Sequence, residues 1–522
     1  MDEQRVVIVG AGPVGVLTAL MLARRGIPSL IAERYATPYG LPRAVHVDDE
    51  VFRIFQQVGI AEDFARISEP MPGMRLLDAE YGVMAEFTRS TDVAANGYPQ
   101  ANFFDQPDLE AILRDEMARS PLIELRTGLD VVGAEQTADG VLVHVVSKDG
   151  SENVAGSYLL GCDGANSTVR DVMGSSLLDL GYEERWCVVD AISDAALPVW
   201  PGMYQVCDPA RATTFGRIGP RRYRWEFHLA DGETAEDVVQ PASLRELVAP
   251  VLGDVPFESL EVIRQAEYTF KARVADRWRQ GRFFLLGDAA HLTPPFIGQG
   301  LCAGVRDAAN LAWKLERVIR RGCPPTLLDT YADERKPHVQ RFIRLAMVVG
   351  WAMTGGQDRA AFVRKNVLAF ATRVPGFSTA VVSQAAPPLP RGPLVNRSRS
   401  FRPSSVGKLL PQPRVQDGDV EVLLDDVLGP GFAVLCSEDP AWELRYLARR
   451  LDARLVSLTP RTERAEDTHS VSDPTGTLQA WLARQHASAA VIRPDRTVLD
   501  LIPEAGPVPL SRPWLDLVEV RA

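Results

Sequence analysis

The sequence has no block of like charge, no paired cysteines and no apolar run long enough to cross a bilayer, and each absence removes a class of function. Its 68 acidic and 57 basic residues are spread along 522 positions and leave a formal net charge of −11. A surface that tracks phosphates needs clustered Lys and Arg, so nucleic acid is not an expected partner. The six cysteines stand singly at 162, 187, 207, 302, 323 and 436. That spacing offers neither a metal site nor a disulfide framework and suits a reducing cytosol. The longest apolar stretch, Leu345 to Met353, falls short of the roughly 18 residues a membrane helix needs and reads as a buried helix. Residues 1 to 5 run straight into Val6-Val7-Ile8-Val9, which leaves no room for an expected signal peptide and points to a cytoplasmic protein.

What is present begins with that apolar strand. It leads into Gly10-Ala11-Gly12-Pro13-Val14-Gly15, a helix expected over Pro13 to Arg25, and a second strand over Pro28 to Ala32. In this βαβ unit Gly10 permits the tight turn, Gly12 lets the backbone approach a pyrophosphate, and Gly15 lets helix pack on strand. The helix N-terminus at Pro13 then turns free N–H groups toward the phosphates. Glu33, with Arg34 beside it, closes the second strand, where an acidic side chain accepts hydrogen bonds from a ribose and argues against a 2′-phosphate. Such a motif by itself says only "dinucleotide".

Of two further segments, the one near residue 290 points to a flavin. Gly287-Asp288-Ala289-Ala290-His291 follows the apolar Phe283 to Leu286, and strand ends are where open α/β sheets bind ligands. Asp288 there suits the hydroxyls of a ribityl chain, which NAD lacks. Next, Pro294-Pro295 and Gly298-Gln299-Gly300 open a helix expected over Leu301 to Arg320. Its positive end, with the N–H groups of Leu301 and Cys302, faces an anion such as the edge of a reduced flavin. His291 reads as a support for this loop through a hydrogen bond. The third segment, Tyr158 to Arg170 around Cys162-Asp163-Gly164, reads as strand, turn and helix start, capped by Asn166 or Ser167.

Helices are also expected over residues 48 to 59 and 107 to 119. From about 140 to 270 the pattern changes to alternation, as in Tyr223-Arg224-Trp225-Glu226-Phe227, which predicts a mostly antiparallel sheet inserted into the flavin domain. The expected organisation is α/β. A doubly wound, Rossmann-like FAD-binding domain takes residues 1–75, 102–178 and 268–350, and a substrate-binding sheet takes 76–101 and 179–267. A helical segment and linker spans 351–404, its clearest part the Pro, Gly, Ser and Arg-rich stretch Ala385 to Ser405. A C-terminal domain follows over 405–522, with strands at Phe432 to Leu435 and Leu455 to Leu458, helices at Ala441 to Leu451 and Thr477 to Arg484, and a hairpin around Arg493 to Arg496.

With these motifs go Pro42-Arg43-Ala44, Val47-Asp48-Asp49-Glu50, Gln106-Pro107 and Arg306 to Leu315. Together they resemble the single-component FAD-dependent aromatic hydroxylases, the group of para-hydroxybenzoate hydroxylase and phenol hydroxylase. The likeness is strongest to the 3-(3-hydroxyphenyl)propionate hydroxylases. It is strong over about residues 5 to 345. The tail, chiefly through Leu424 to Phe432, resembles the thioredoxin-like domain of phenol hydroxylase. The resemblance implies resident FAD, reduction by a transient NADH or NADPH, reaction with O₂ to a C4a-hydroperoxyflavin, and ortho hydroxylation of a small phenol such as a hydroxyphenylpropanoid acid. It implies that Arg43 and Gln106 contact FAD, that Asp288 binds the ribityl chain, and that Asp163 and Gly164 serve FAD and the nicotinamide. The absence of a second Gly-x-Gly-x-x-Gly fits a visiting reductant. Cys302 stands where many relatives have Asn, which touches fine tuning of the flavin and not the loop, since the backbone makes the contact. With no Cys-x-x-Cys, the tail does no dithiol exchange and is expected to pack or to support a homodimer.

Substrate is expected between the flavin domain and the inserted sheet. Tyr204, Phe215, Tyr223 and Trp225 are candidates to touch it, with Trp186 and Phe227 behind them, although aromatics alternating along strands are commonly core. Arg211, Arg217, Arg222 and Arg224 are candidates for a substrate carboxylate. His46 is a candidate to help deprotonate the phenol, and Pro295 and Phe296 are expected at the flavin edge. Two alternatives stay open: a tailoring hydroxylase for a larger aromatic polyketide on the same scaffold, and a flavin-binding protein without turnover.

Overall fold

The computed structural model describes residues 5–38, 40, 43–208, 210–354, 387–395, 404–459, 467–504 and 512–520. Pro42 and most of the expected segment and linker over 351–404 lie outside the described residues.

Three strands explain why motifs some 150 and 280 residues apart can act together. Val6–Val9 pairs in parallel with Ser29–Glu33 on one side and Tyr158–Gly161 on the other, and Tyr158–Gly161 pairs in parallel with Phe283–Leu285. The register puts Val9 opposite Gly161 and Gly161 opposite Leu285. Gly10, Cys162 and Leu286 are therefore the first residues off the same sheet edge. Every residue of these three strands is buried, as central parallel strands covered on both faces must be. The helices that follow the first and third motifs, Pro13–Ala23 and Gly300–Arg321, lie near the expected bounds. The first stops at Ala23 because the chain turns through Gly26 at φ +72 into the next strand.

The inserted sheet has eight strands and is antiparallel except where Met203–Val206 runs parallel to Gly73–Leu77. Its long strands, Leu177–Ser193 and Leu260–Ala275, pair over most of their length, and the second reaches back to His291–Leu292 beside the flavin loop. Two features inside the 140 to 270 stretch were not expected. A separate three-stranded meander, Asp130–Gln136, Val141–Ser147 and Gly150–Gly156, takes its first part. Two helices, Ala235–Val239 and Pro241–Leu252, cover one face of the large sheet. The first starts at a capping box in which the Thr234 side chain and the Asp237 carboxylate satisfy each other's backbone N–H.

In the tail, Ala433–Cys436 and Arg454–Ser457 pair in parallel around the helix Trp442–Leu451, and Ala487–Ile492 and Val498–Pro503 add an antiparallel hairpin. That five-stranded order is compatible with the thioredoxin-like expectation. Buried ion pairs dock the tail on the flavin domain: Arg53 grips Asp425 at 2.6 and 2.8 Å, and Arg493 grips Glu334 at 2.8 and 2.9 Å. Breaking one partner of such a pair leaves a buried charge and costs about 3–5 kcal/mol.

Leu345 to Met353 is part of the helix Asp329–Thr354, but it is not a buried helix. Val348 is 59% and Trp351 55% exposed, because only one face packs, through Ala346 and Gly350. Among the described residues no helix is long and apolar enough to cross a membrane, and no His, Cys, Asp and Glu group could hold a metal.

Candidate active site

The turn after the first strand is close-packed on its inner side and open on its outer side. A Cβ on Gly15 would sit 2.0 Å from the Gly10 carbonyl oxygen, and one on Gly10, at φ +98, would sit 2.5 Å from that of Cys162. Both positions accept only glycine. At Gly12, Gly164 and Gly300 a Cβ would meet nothing within 4 Å, so at these points the backbone borders empty space. At Gly12 and Gly164 that space is a cleft of about 200 Å³ lined by Gly10 to Pro13, Glu33 to Pro38, Arg43, Gln106, Asp163 and Gly164. The Glu33 carboxylate sits in it and accepts from Ala11 N at 2.7 Å and Tyr35 N at 2.9 Å. Arg34 stands beside it, 4.0 Å from Asp130.

The middle motif is tied to its neighbours. Cys162 N donates to Val9 O at 2.8 Å and Leu286 N to Gly161 O at 2.9 Å. Ser167 is the helix cap, accepting from Arg170 N at 3.0 Å. Asp163 accepts from the Ser167 hydroxyl and Val169 N, so its carboxylate is spent on holding the turn, and both Asp163 and Gly164 border the cleft. Arg170 donates to Ala165 O and to Ala289 O, joining the middle and third motifs. His291 Nε2 donates to Asp307 Oδ2 (3.0 Å), and Asp307 also accepts from Gly287 N and Arg335. The histidine thus props the loop, as its position in sequence suggested.

A second cavity of about 380 Å³ shares Gly12, Pro13, Arg43, Gln106, Cys162 and Gly164 with the first. It continues past Asp288, Pro295 to Gly298, Gly300 and Leu301 to the inserted sheet. Asp288 is exposed to this space. Gln106 shapes its entrance by accepting from Arg43 N (3.0 Å) and Ala44 N (2.8 Å) while donating to Glu110. Arg306 fixes the Gly298 to Gly300 loop by binding Asp48, Glu50 and Gln299 together. This explains why the acidic run after His46 and the arginine of the long helix occur together. Cys302 is buried against His46 O and Gly298 O, and burial keeps its thiol protonated.

His46 lines the cavity with both ring nitrogens engaged. Nδ1 lies 3.3 Å from Gly298 O and Nε2 3.2 Å from the Arg89 guanidinium. Since a carbonyl only accepts and Arg only donates, Nδ1 carries the proton. Burial and Arg89 pull the ring down to about 4. A neutral imidazole with both nitrogens engaged fits a positioning role better than that of the expected base.

The wall facing this loop is the inserted sheet, and here the expected substrate residues are not found in the cavity. Tyr204, Phe215, Tyr223 and Trp225, with Phe227, pack in one core with Val238, Leu244 and Val248 of the two covering helices. Their neighbours in sequence line the cavity instead: Met203, Gln205, Thr214, Arg224 and Glu226, joined by Val188, Arg264, Tyr268 and Phe270. Trp186 is fully buried beneath, in edge contact with Phe296. The four candidate arginines are already neutralised, Arg211 by Glu233, Arg217 by Glu69, Arg222 by Asp105 and Arg224 by Asp190. Met71, Met74, Arg89 and Phe103 complete the lining and carry no motif that sequence could have flagged.

These residues fit FAD. Two joined clefts of unequal polarity run off one sheet edge, glycines open the backbone at three points along them, and a helix N-terminus closes the far end.

Comparison with known proteins agrees. The family described as FAD binding domain matches residues 3–346, and one described as HcaD C-terminal domain matches 407–509. The chain is 36% identical to "3-(3-hydroxy-phenyl)propionate/3-hydroxycinnamic acid hydroxylase 2" of Burkholderia vietnamiensis over 95% of this chain and 93% of that one. It is 37% identical to the 3-(3-hydroxy-phenyl)propionate/3-hydroxycinnamic acid hydroxylase of Mycobacterium sp. (strain KMS), over 94% and 87%. Among solved structures it is similar to aklavinone-11 hydroxylase in complex with FAD and aklavinone, with a TM-score of 0.78, 25% identity and coverage of 97% and 96%.

Proposed function

The chain belongs to the FAD-dependent aromatic monooxygenases, and from that membership we propose that it adds an ortho hydroxyl to a small phenol bearing an acidic side chain, of the hydroxyphenylpropanoid kind. NAD(P)H and O₂ are its co-substrates. Bound FAD supplies the redox chemistry, taking electrons from the nicotinamide and activating oxygen. The remaining work falls to this chain's residues.

Gly10, Gly12, Pro13, Gly15 and Glu33, with Arg34, hold the adenosine diphosphate half by backbone approach and helix N-terminus. Arg43 and Gln106 shape the middle, and Asp288 receives ribityl hydroxyls. The N–H groups of Leu301 and Cys302, presented by the turn at Gly298 and Gly300, would face the flavin edge that becomes negative on reduction. Gly164, on the turn built by Asp163, offers open backbone to the visiting nicotinamide. Pro295 and Phe296 border the ring space and keep water out. Phenolate is the reactive form, and with His46 committed its proton leaves along a chain of water and polar side chains.

One observation carries the choice of a small substrate: the curated relatives named for hydroxyphenylpropionate and hydroxycinnamic acid are 36–37% identical over nearly the whole chain. A second reading, a tailoring hydroxylase of a larger polyketide, is favoured by the likeness to aklavinone-11 hydroxylase. We also assign the enzyme to the cytosol and its tail to packing and support of a homodimer. The test is a panel of phenols of one to four rings, scored for stimulated NADH and NADPH oxidation and for product mass. A gain of one oxygen on a one-ring acid supports the first reading, a gain only on fused rings supports the second, and peroxide alone defeats both.

A further inference from the structure

Arg89 follows the strand Val83–Thr88 and lines the cavity between the flavin loop and the sheet. Its backbone N–H donates to Pro72 O at 2.8 Å, which seats it between Met71 and Met74, both part of the same lining. Among the described residues its hydrogen-bonding partner is His46, at 3.2 Å, and that ring is neutral.

The other arginines of this cavity are differently placed, Arg43 lying where the cavity meets the first cleft and lining both. Arg224 holds Asp190 at 2.6 and 2.9 Å, and Arg264 reaches the same carboxylate at 3.4 Å. Arg306, behind the loop, is saturated by Asp48 and Glu50. The carboxylates closest in charge to Arg89 are Asp48 and Asp49. Asp48 is claimed by Arg306, while burial and Asp48 push Asp49 up to about 7 and leave it only partly charged. Arg89 itself is pulled down by burial to about 10 and stays a cation at neutral pH. Arg offers five N–H donors, and His46 uses one. A half-buried guanidinium without a carboxylate at contact distance is an incomplete ion pair. The reduced flavin does not need it, because its negative edge is met by the helix N-terminus at Leu301.

We propose that Arg89 is the receptor for the carboxylate of the substrate, with His46 as the positioning residue that aims its guanidinium. The proposal rests on the acidic-phenol reading above and names the group that reads the acid. Met71 and Met74 flank the path from ring to carboxylate, and their flexible thioethers suit a short alkyl chain. Specificity then comes from a charge on the cavity wall and not from the four sheet arginines.

The test is binding without turnover. FAD-loaded protein, without reductant, is titrated calorimetrically with 3-(3-hydroxyphenyl)propionate and with the neutral 3-(3-hydroxyphenyl)propanol. Arg89→Gln is expected to weaken the acid by about 10- to 100-fold and to leave the alcohol within about twofold, and Arg89→Lys to recover part of the loss. Flavin content and melting temperature of each variant report folding. Equal weakening of acid and alcohol overturns the proposal, as does an unchanged acid affinity, which moves the receptor to Arg264. Altered flavin retention with the preference for acid intact overturns it too, by making Arg89 a cofactor residue. If the acid binds through Arg89 yet no phenol is hydroxylated, the proposed function fails and the receptor stands. If phenols are hydroxylated with no preference for the acid, the receptor fails alone.

Discussion

The two faces of the eight-stranded sheet carry residues that alternate along the same strands and serve opposite ends. One face presents Tyr204, Phe215, Tyr223, Trp225 and Phe227 to two helices and forms a closed core. The other presents Met203, Gln205, Thr214, Arg224 and Glu226 to the cavity. By composition the second face looks like a solvent face, and in an isolated sheet it would be one. It becomes a binding wall because the flavin domain stands opposite it. The aromatic face, which looks more like a pocket for an aromatic ring, is consumed by packing, since each large ring stabilises the fold by about 1.5–3 kcal/mol once buried.

That contrast can be broken experimentally. The largest effect belongs to the cradle that makes the cavity a cofactor site at all: Gly15→Val, whose side chain would collide with Gly10 O, is expected to purify without flavin, as flavin absorbance after gel filtration will show. Next comes the core face. Phe215→Ala should cost about 3–5 kcal/mol, seen as a lower melting temperature, and leave the KM of the surviving enzyme unchanged; a large rise in KM would return Phe215 to the pocket.

A smaller, pH-limited effect is expected at His46. Unfolded, this ring takes a proton near pH 6.5; folded, burial and Arg89 hold it to about 4. Its contribution to stability is therefore complete above pH 6.5 and is lost as the pH falls from 6.5 toward and below 4, by about 3 kcal/mol in all. In denaturant titrations across that window His46→Asn should flatten the acid limb, and an unchanged slope would place the ring in solvent. The smallest effect is on the cavity face. Thr214→Val should stay within about 1 kcal/mol of wild-type stability while shifting KM for the phenol severalfold. If Thr214→Val destabilises as Phe215→Ala does, the two faces are not distinct.

Much of the cradle was legible beforehand because its determinants are local. Gly10, Gly12, Gly15, Glu33 and the loop at Gly298 to Gly300 act through backbone geometry, and a glycine between strand and helix states its own constraint. The long helices and tail strands were legible for the same reason, through short-range periodicity. The helices over 235–252 were missed inside a stretch dominated by alternation, although Thr234 and Asp237 carried a capping signal. The residues lining the cavity differ from the expected ones by one residue of parity. Alternation shows that Tyr223 and Arg224 point to opposite faces, and nothing local says which face another domain will cover.

What this sequence determined by itself is the cofactor: three strand-ending motifs, each with its chemistry in its own backbone, require only that their strands be neighbours. What the tertiary structure alone decided is which side chains line the cavity beside the cofactor cleft. Arg89 gains its meaning from His46, 43 positions away, and from carboxylates that other arginines already hold. Whether a charge is spare is a property of everything packed around it, and no local pattern can carry that.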